Sequence, residues 1–116
     1  MKYEVKSDKY TKARGGNSKF NIISCLSCKK EIFLYQKDGP GKLLRMYLDK
    51  FVAPQEFVKE LKKISKKSEM KGLKCYCCGE LLAVPMIYEK ENRLAYRLIN
   101  GKVTRKEAQS IIEIEM

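Results

Sequence analysis

Histidine and tryptophan are absent from the 116 residues, and proline occurs only three times. The lack of histidine removes Cys–His and Ser–His nucleophilic pairs and the H-x-E ligand pattern of the zinc nucleobase deaminases. Long apolar stretches are missing too: no run of about 18 apolar residues exists to span a membrane. The opening "MKYEVKSDKYTKARGGNSK" has no apolar core of a secretory signal. An intracellular, cytoplasmic protein with no membrane association is the expectation. Acidic residues are scarce relative to basic ones, 14 against 25, which leaves a formal charge of +11. That bias favours an anionic partner such as nucleic acid, or an acidic protein surface, although a solvated lysine-rich surface gives the same count.

Five cysteines are present, an odd number, and three of them crowd into "LKCYCCGELL" at 73–82. In a reducing compartment closely spaced cysteines are more often metal ligands or redox groups than structural disulfides. Cys25 and Cys28 form one C-x-x-C, and Cys75 and Cys78 a second. The two-residue gap lets both sulfurs of a pair point at one ion, and the turn after the second cysteine aims backbone N–H groups at them. Glycine suits that turn because it tolerates positive φ, so Gly79 selects Cys75 and Cys78 as ligands and leaves Cys77 over. Lys29 holds the equivalent place in the first pair without that freedom, and a less ideal turn is expected there. Cys77 reads as a small half-buried residue between ligands, or as a spare thiol that swaps as ligand or senses oxidants.

The flanks of both pairs have strand composition. "KFNIIS" (19–24) and "EIFLYQ" (31–36) place the first pair at a hairpin tip, and residues 73–75 with 80–88 place the second at another. "RLAYRLI" (93–99) is expected to pair with "AVPMIYE" across Lys90-Glu91-Asn92, with Pro85 at an edge or bulge. Between the cysteine pairs, Leu43, Leu44, Tyr47, Leu48 and Phe51 follow helical spacing, which predicts one amphipathic helix. Pro54 opens a second over about residues 54–67, with Phe57, Val58, Leu61 and Ile64 as its apolar stripe. Thr104 and Glu107 have capping-box spacing, yet "IIEIE" (111–115) suits a strand equally well.

"CLSCKKEI" and "CYCCGELL" resemble the two knuckles of a zinc ribbon, a family in which two hairpins share a structural zinc held by four cysteines. The resemblance covers about a third of the chain and implies no single activity. It departs in one respect: 46 residues separate Cys28 from Cys75, against about 15–20 in a compact ribbon. The expected fold is therefore α+β: zinc-ribbon-like β-hairpins on one four-cysteine Zn²⁺ site, with a two-helix insertion over 41–70. Residues 1–18 read as a basic arm or an irregular first strand, and 19–116 as a single domain. A dithiol redox centre is a competing reading, but such a motif normally opens a helix, and both flanks here look like strands. An iron–sulfur cluster also uses four cysteines. A catalytic zinc fits less well, because those sites keep an open position beside three protein ligands.

The expected function is non-enzymatic nucleic-acid binding, with a protein-interaction module docking an acidic partner as the alternative. Residues 59–74 hold seven lysines and two glutamates, a local excess of +5 suited to phosphate neutralisation. Candidate contacts are Lys59, Lys62, Lys63, Lys66, Lys67 and Lys71, with Arg14 from the N-terminal segment and Tyr76, whose ring at the knuckle tip can stack on a base. "DGPGK" (38–42) lacks the spacing of a nucleotide-binding loop and reads as a plain turn, with phosphate binding at a following helix, aided by Lys42, as the sharper alternative.

Overall fold

A computed structural model describes all 116 residues as an α+β fold dominated by antiparallel strands. The strands are β1 (Lys2–Glu4), β2 (Ser18–Cys25), β3 (Glu31–Asp38), β4 (Arg45–Tyr47), β5 (Phe51–Ala53), β6 (Leu73–Lys74), β7 (Leu81–Tyr88), β8 (Arg93–Leu98), β9 (Val103–Glu107) and β10 (Ile111–Glu113). Two helices, α1 (Lys9–Ala13) and α2 (Gln55–Lys62), complete the regular structure. Neither helix is long and apolar enough to cross a membrane.

Two four-stranded sheets carry the fold, ordered β5-β3-β2-β9 and β4-β8-β7-β6. Between them lies the main core, in which Phe51 meets Phe33, Tyr35, Phe57 and Tyr96 edge-on at ring separations of 5.1 to 6.1 Å. Cys25 and Cys75 belong to this same buried cluster. A smaller core on the other face of the first sheet joins Phe20, Leu34 and Ala53 to Tyr3 of β1.

Residues 1–18 pack on the rest of the chain. Strand β1 pairs with β10, and Asp8 caps α1 while its second carboxylate oxygen takes a 2.8 Å hydrogen bond from Lys50. The ring of Tyr10 lies 3.6 Å from the Arg93 guanidinium, which stacks on Tyr47 from the other side at 3.7 Å.

The helix expected around Leu43–Phe51 does not form. The segment instead gives β4 to the outer edge of β8, with Met46 opposite Tyr96, then a single 3₁₀ turn at Leu48–Lys50, then β5 to the edge of β3, with Phe51 opposite Tyr35. A ten-residue apolar pattern is compatible with both periodicities, and two open sheet edges offered backbone partners that a lone helix would forgo. The insertion therefore holds one helix, α2, which follows Pro54 as expected but ends at Lys62, before the sequence estimate of 67. Residues 103–107 and 111–113 are strands, which resolves the C-terminal ambiguity. Pro85 sits beyond Ala83, where β6 stops pairing with β7, so its missing N–H costs no ladder bond on that side.

Candidate metal centre

Each C-x-x-C closes a hairpin, one between β2 and β3 and one between β6 and β7. The two turns repeat the same backbone bonds. Lys29 N–H donates to the Cys25 carbonyl and Gly79 N–H to the Cys75 carbonyl, both at 2.8 Å, while Cys25 and Cys75 N–H donate to Lys30 and Glu80 carbonyls at 2.9 Å. Both turns need a left-handed residue after the second cysteine: φ is +81° at Gly79 and +67° at Lys29. The sequence signal at Gly79 is thus structural, and Lys29 bears a backbone cost of about 1–2 kcal/mol for adopting the same conformation.

This symmetry brings the four sulfurs together. Cys25 Sγ lies 3.6 Å from Cys78 Sγ, Cys28 Sγ lies 3.7 Å from Cys75 Sγ, and all four fall within 4.8 Å of one another. Four sulfurs on a tetrahedron with bonds of about 2.3 Å stand about 3.8 Å apart. The arrangement can hold one metal ion. The first cysteine of each pair is buried on the core side, while Cys28 is half-buried against the core and Cys78 is exposed, so a bound ion would tie one sheet to the other at the end of the core.

Charge at the cluster follows the same logic. Burial opposes ionisation of Cys75, but N–H groups of Cys78 and Cys77 and the thiols of Cys28 and Cys78 outweigh it, lowering that thiol to about 7. At Cys28 the Lys30 N–H favours the thiolate, yet burial and the sulfurs of Cys75, Cys25 and Cys78 prevail and push it up to about 12. Cys78 is raised as well, because burial and the Cys25 and Cys75 sulfurs exceed the help from the Glu80 N–H. Thiolates this close repel, and a divalent cation among them reverses the balance.

Cys77 is exposed, not half-buried, and its sulfur stays outside the cluster; its backbone N–H, however, serves the Cys75 sulfur. Lys59, Lys62, Lys63, Lys66, Lys67 and Lys71 are all exposed, and Lys74 with them. Tyr76 is 59% exposed and walls a groove of about 400 Å³ together with Phe33, Phe57, Lys74 and Met116. The lysine-bearing stretch leaves this groove along α2 and returns to it at β6. Arg14 is engaged elsewhere, in a two-pronged contact with Glu91 at 2.8 Å and a hydrogen bond to the Tyr47 hydroxyl at 3.0 Å.

One contributor escaped the sequence reading. Lys102 accepts the Leu26 N–H at its carbonyl and pairs its ammonium with Glu80. The turn after β8 thereby braces both knuckles. Glu80 first, and the Cys25 sulfur beyond it, raise the Lys102 pKa. No local pattern marks a lysine 22 residues from its carboxylate partner. A scan of protein-family models, a search of curated proteins and a search of solved structures each found no match to this chain.

Proposed function

We infer that the four cysteines hold one structural zinc ion in a zinc-ribbon-like centre, and that the protein is a non-catalytic nucleic-acid-binding module. A single ion is favoured because an iron–sulfur cluster distributes its cysteines over several iron atoms, which spreads the sulfurs beyond the 4.8 Å that all four satisfy here. Soft, tetrahedral four-thiolate sites of this kind suit zinc, and such a centre supplies the cross-link that a short chain needs. Placement of both pairs at hairpin tips, away from any helix start, argues against a dithiol redox role.

The observation that carries the binding role is the exposed lysine stretch, whose last member, Lys74, lines the Tyr76 groove. Phosphates would pair with Lys59, Lys62, Lys63, Lys66, Lys67 and Lys71, while an unstacked base lies against Tyr76 with Lys74 beside it. The acids of the stretch are already engaged: Glu60 with Lys63, and Glu69 with Ser65 and the Lys66 N–H. The rival reading, docking to an acidic protein, calls for an exposed apolar patch, and Tyr47 and Phe51, the large apolar side chains of the insertion's first segment, are buried instead.

Polarisation titrations with labelled single-stranded and duplex DNA and RNA test this directly. If these six lysines each neutralise one phosphate, the slope of log K against log salt is about −4.2 on single strands and about −5.4 on duplex. Lys62→Gln with Lys66→Gln should reduce the slope by about 1–2. Absence of affinity for every nucleic acid at low salt refutes the proposal.

A further inference from the structure

We propose that the cavity formed by the loop between β3 and β4, at the far end of the fold from the metal centre, binds a phosphate monoester. Strand β3 runs from the first knuckle at Glu31 to this loop at Asp38, a span of about 23 Å at strand rise. The cavity encloses about 220 Å³ and is walled by Arg14, Lys37, Asp38, Lys42, Arg45 and Tyr47 among others. Pockets that enclose a whole small molecule start at about 300 Å³. This one suits a group, not a cofactor.

Its charges are unbalanced. Asp38, the carboxylate on its wall, is committed to Lys50 at 3.0 Å and accepts hydrogen bonds from Ser18 and Gln36. Arg14 is likewise committed to Glu91. Lys37, Lys42 and Arg45 take part in none of the molecule's nine ion pairs. Three cations converge without a counter-charge, which matches a dianion better than a carboxylate.

Two of them, Arg45 and Lys37, are also held in place before any ligand arrives. The Arg45 guanidinium stacks on Tyr88 at 4.1 Å and donates through Nε to the Tyr47 hydroxyl at 2.9 Å, which leaves both terminal amino groups free for a two-pronged contact. Lys37 Nζ donates to the Gly39 carbonyl at 2.7 Å. Arg105 fixes the loop from outside through the Gly41 carbonyl at 3.1 Å, while its charge is shared with Glu107 at 3.4 Å. The N–H groups of Lys42 and Leu43, both on the cavity wall, donate to no backbone or side-chain acceptor, so they remain available to oxygen ligands. Burial, and then the Arg105 guanidinium, lower the Lys37 pKa against the opposing pull of the Glu107 and Asp38 carboxylates. The inference stands independently of the lysine stretch at 59–74.

The phosphate group can belong to a small phosphorylated molecule or to a nucleic-acid 5′ end, and one experiment separates them. The metal-loaded chain, labelled for amide NMR, is titrated with inorganic phosphate, glycerol phosphate, and matched oligonucleotides bearing 5′-phosphate or 5′-hydroxyl. Saturable shifts at the amides of Lys42 and Leu43 are expected with phosphate and glycerol phosphate. Lys42→Glu and, separately, Arg45→Gln should weaken them about ten-fold with metal content and thermal midpoint retained. A 5′-phosphate preference of about ten-fold that disappears in Lys42→Glu assigns the group to a strand end; equal binding of the two oligonucleotides assigns it to a small molecule. Absence of saturable shifts at these amides with every phosphate compound, or shifts unchanged in both variants, overturns the proposal.

Discussion

Replacement of Cys75 by serine is the sharpest test of how the two sheets are held together. Cys75 is 2% exposed, lies 3.7 Å from Cys28 across the cluster, and belongs to the main core. A structural four-cysteine site contributes about 10–16 kcal/mol in apparent binding free energy, so one ligand in four represents about 3–4 kcal/mol. A domain of this length has a total stability of about 6–17 kcal/mol. The variant should therefore lose a large fraction of it, and at about 4 °C per kcal/mol its thermal midpoint should fall by about 12–16 °C. Metal stoichiometry by elemental analysis and the absorption of a cobalt-substituted sample provide the second readout, because loss of one thiolate weakens the sulfur-to-metal charge-transfer band. The matched control is Cys77→Ser: the residue is exposed and outside the cluster, so metal content should stay at one ion per chain and stability within about 0.5 kcal/mol of the original. Full metal content and an unchanged midpoint in Cys75→Ser would refute the ligand assignment. If the double variant with Cys77→Ser then loses the metal, the neighbouring thiol had replaced the missing ligand.

The two knuckle turns differ in one residue at the same left-handed position, which makes them internal controls. Gly79→Ala should cost about 1–2 kcal/mol, all of it from φ because a Cβ there meets no atom within 4 Å, whereas Lys29→Gly should gain up to about 1 kcal/mol; thermal denaturation of the metal-loaded protein reads both. Lys50 is 4% exposed between Asp8 and Asp38, so Lys50→Met strands the buried Asp38 carboxylate and should cost about 3–5 kcal/mol in urea unfolding at neutral pH. The same network sets an acid dependence. Although burial opposes ionisation, Ser18, Gln36 and Lys50 hold Asp38 below the ordinary carboxylate value of 3.8, and Lys50 with the Thr11 N–H does the same for Asp8. Their stabilisation is present above that value and lost as pH falls through the lower folded values. Measured as the difference between the native protein and Asp38→Asn, so that acid release of metal cancels, the gap in stability should close below about pH 4.

The four cysteines that cluster were legible in the chain because their chemistry is local. A two-residue spacing and a glycine at the left-handed position define each knuckle within six residues, and the hairpin strands on either side announce themselves by composition. Helix α2 was legible for the same reason, with a proline at its start and an apolar stripe along one side. What failed was the segment around Met46 and Phe51. Its helical spacing is genuine, but the backbone groups of two distant sheet edges, at β8 and β3, outbid the helix for its hydrogen bonds, and nothing within ten residues records where those edges lie.

The sequence by itself determined which cysteines are paired, which turn residue each pair requires, and that the surface carries a large positive excess. Tertiary structure alone decided that both pairs converge in one cluster, that Lys102 braces them, that Arg14 is committed to Glu91, and that Lys37, Lys42 and Arg45 are left facing one cavity. The division has a physical cause. Backbone conformation and side-chain chemistry act over a few residues and leave a mark in the local order of the chain, whereas charge pairing depends on which strands lie side by side, and that is settled only when the two sheets close over their shared core.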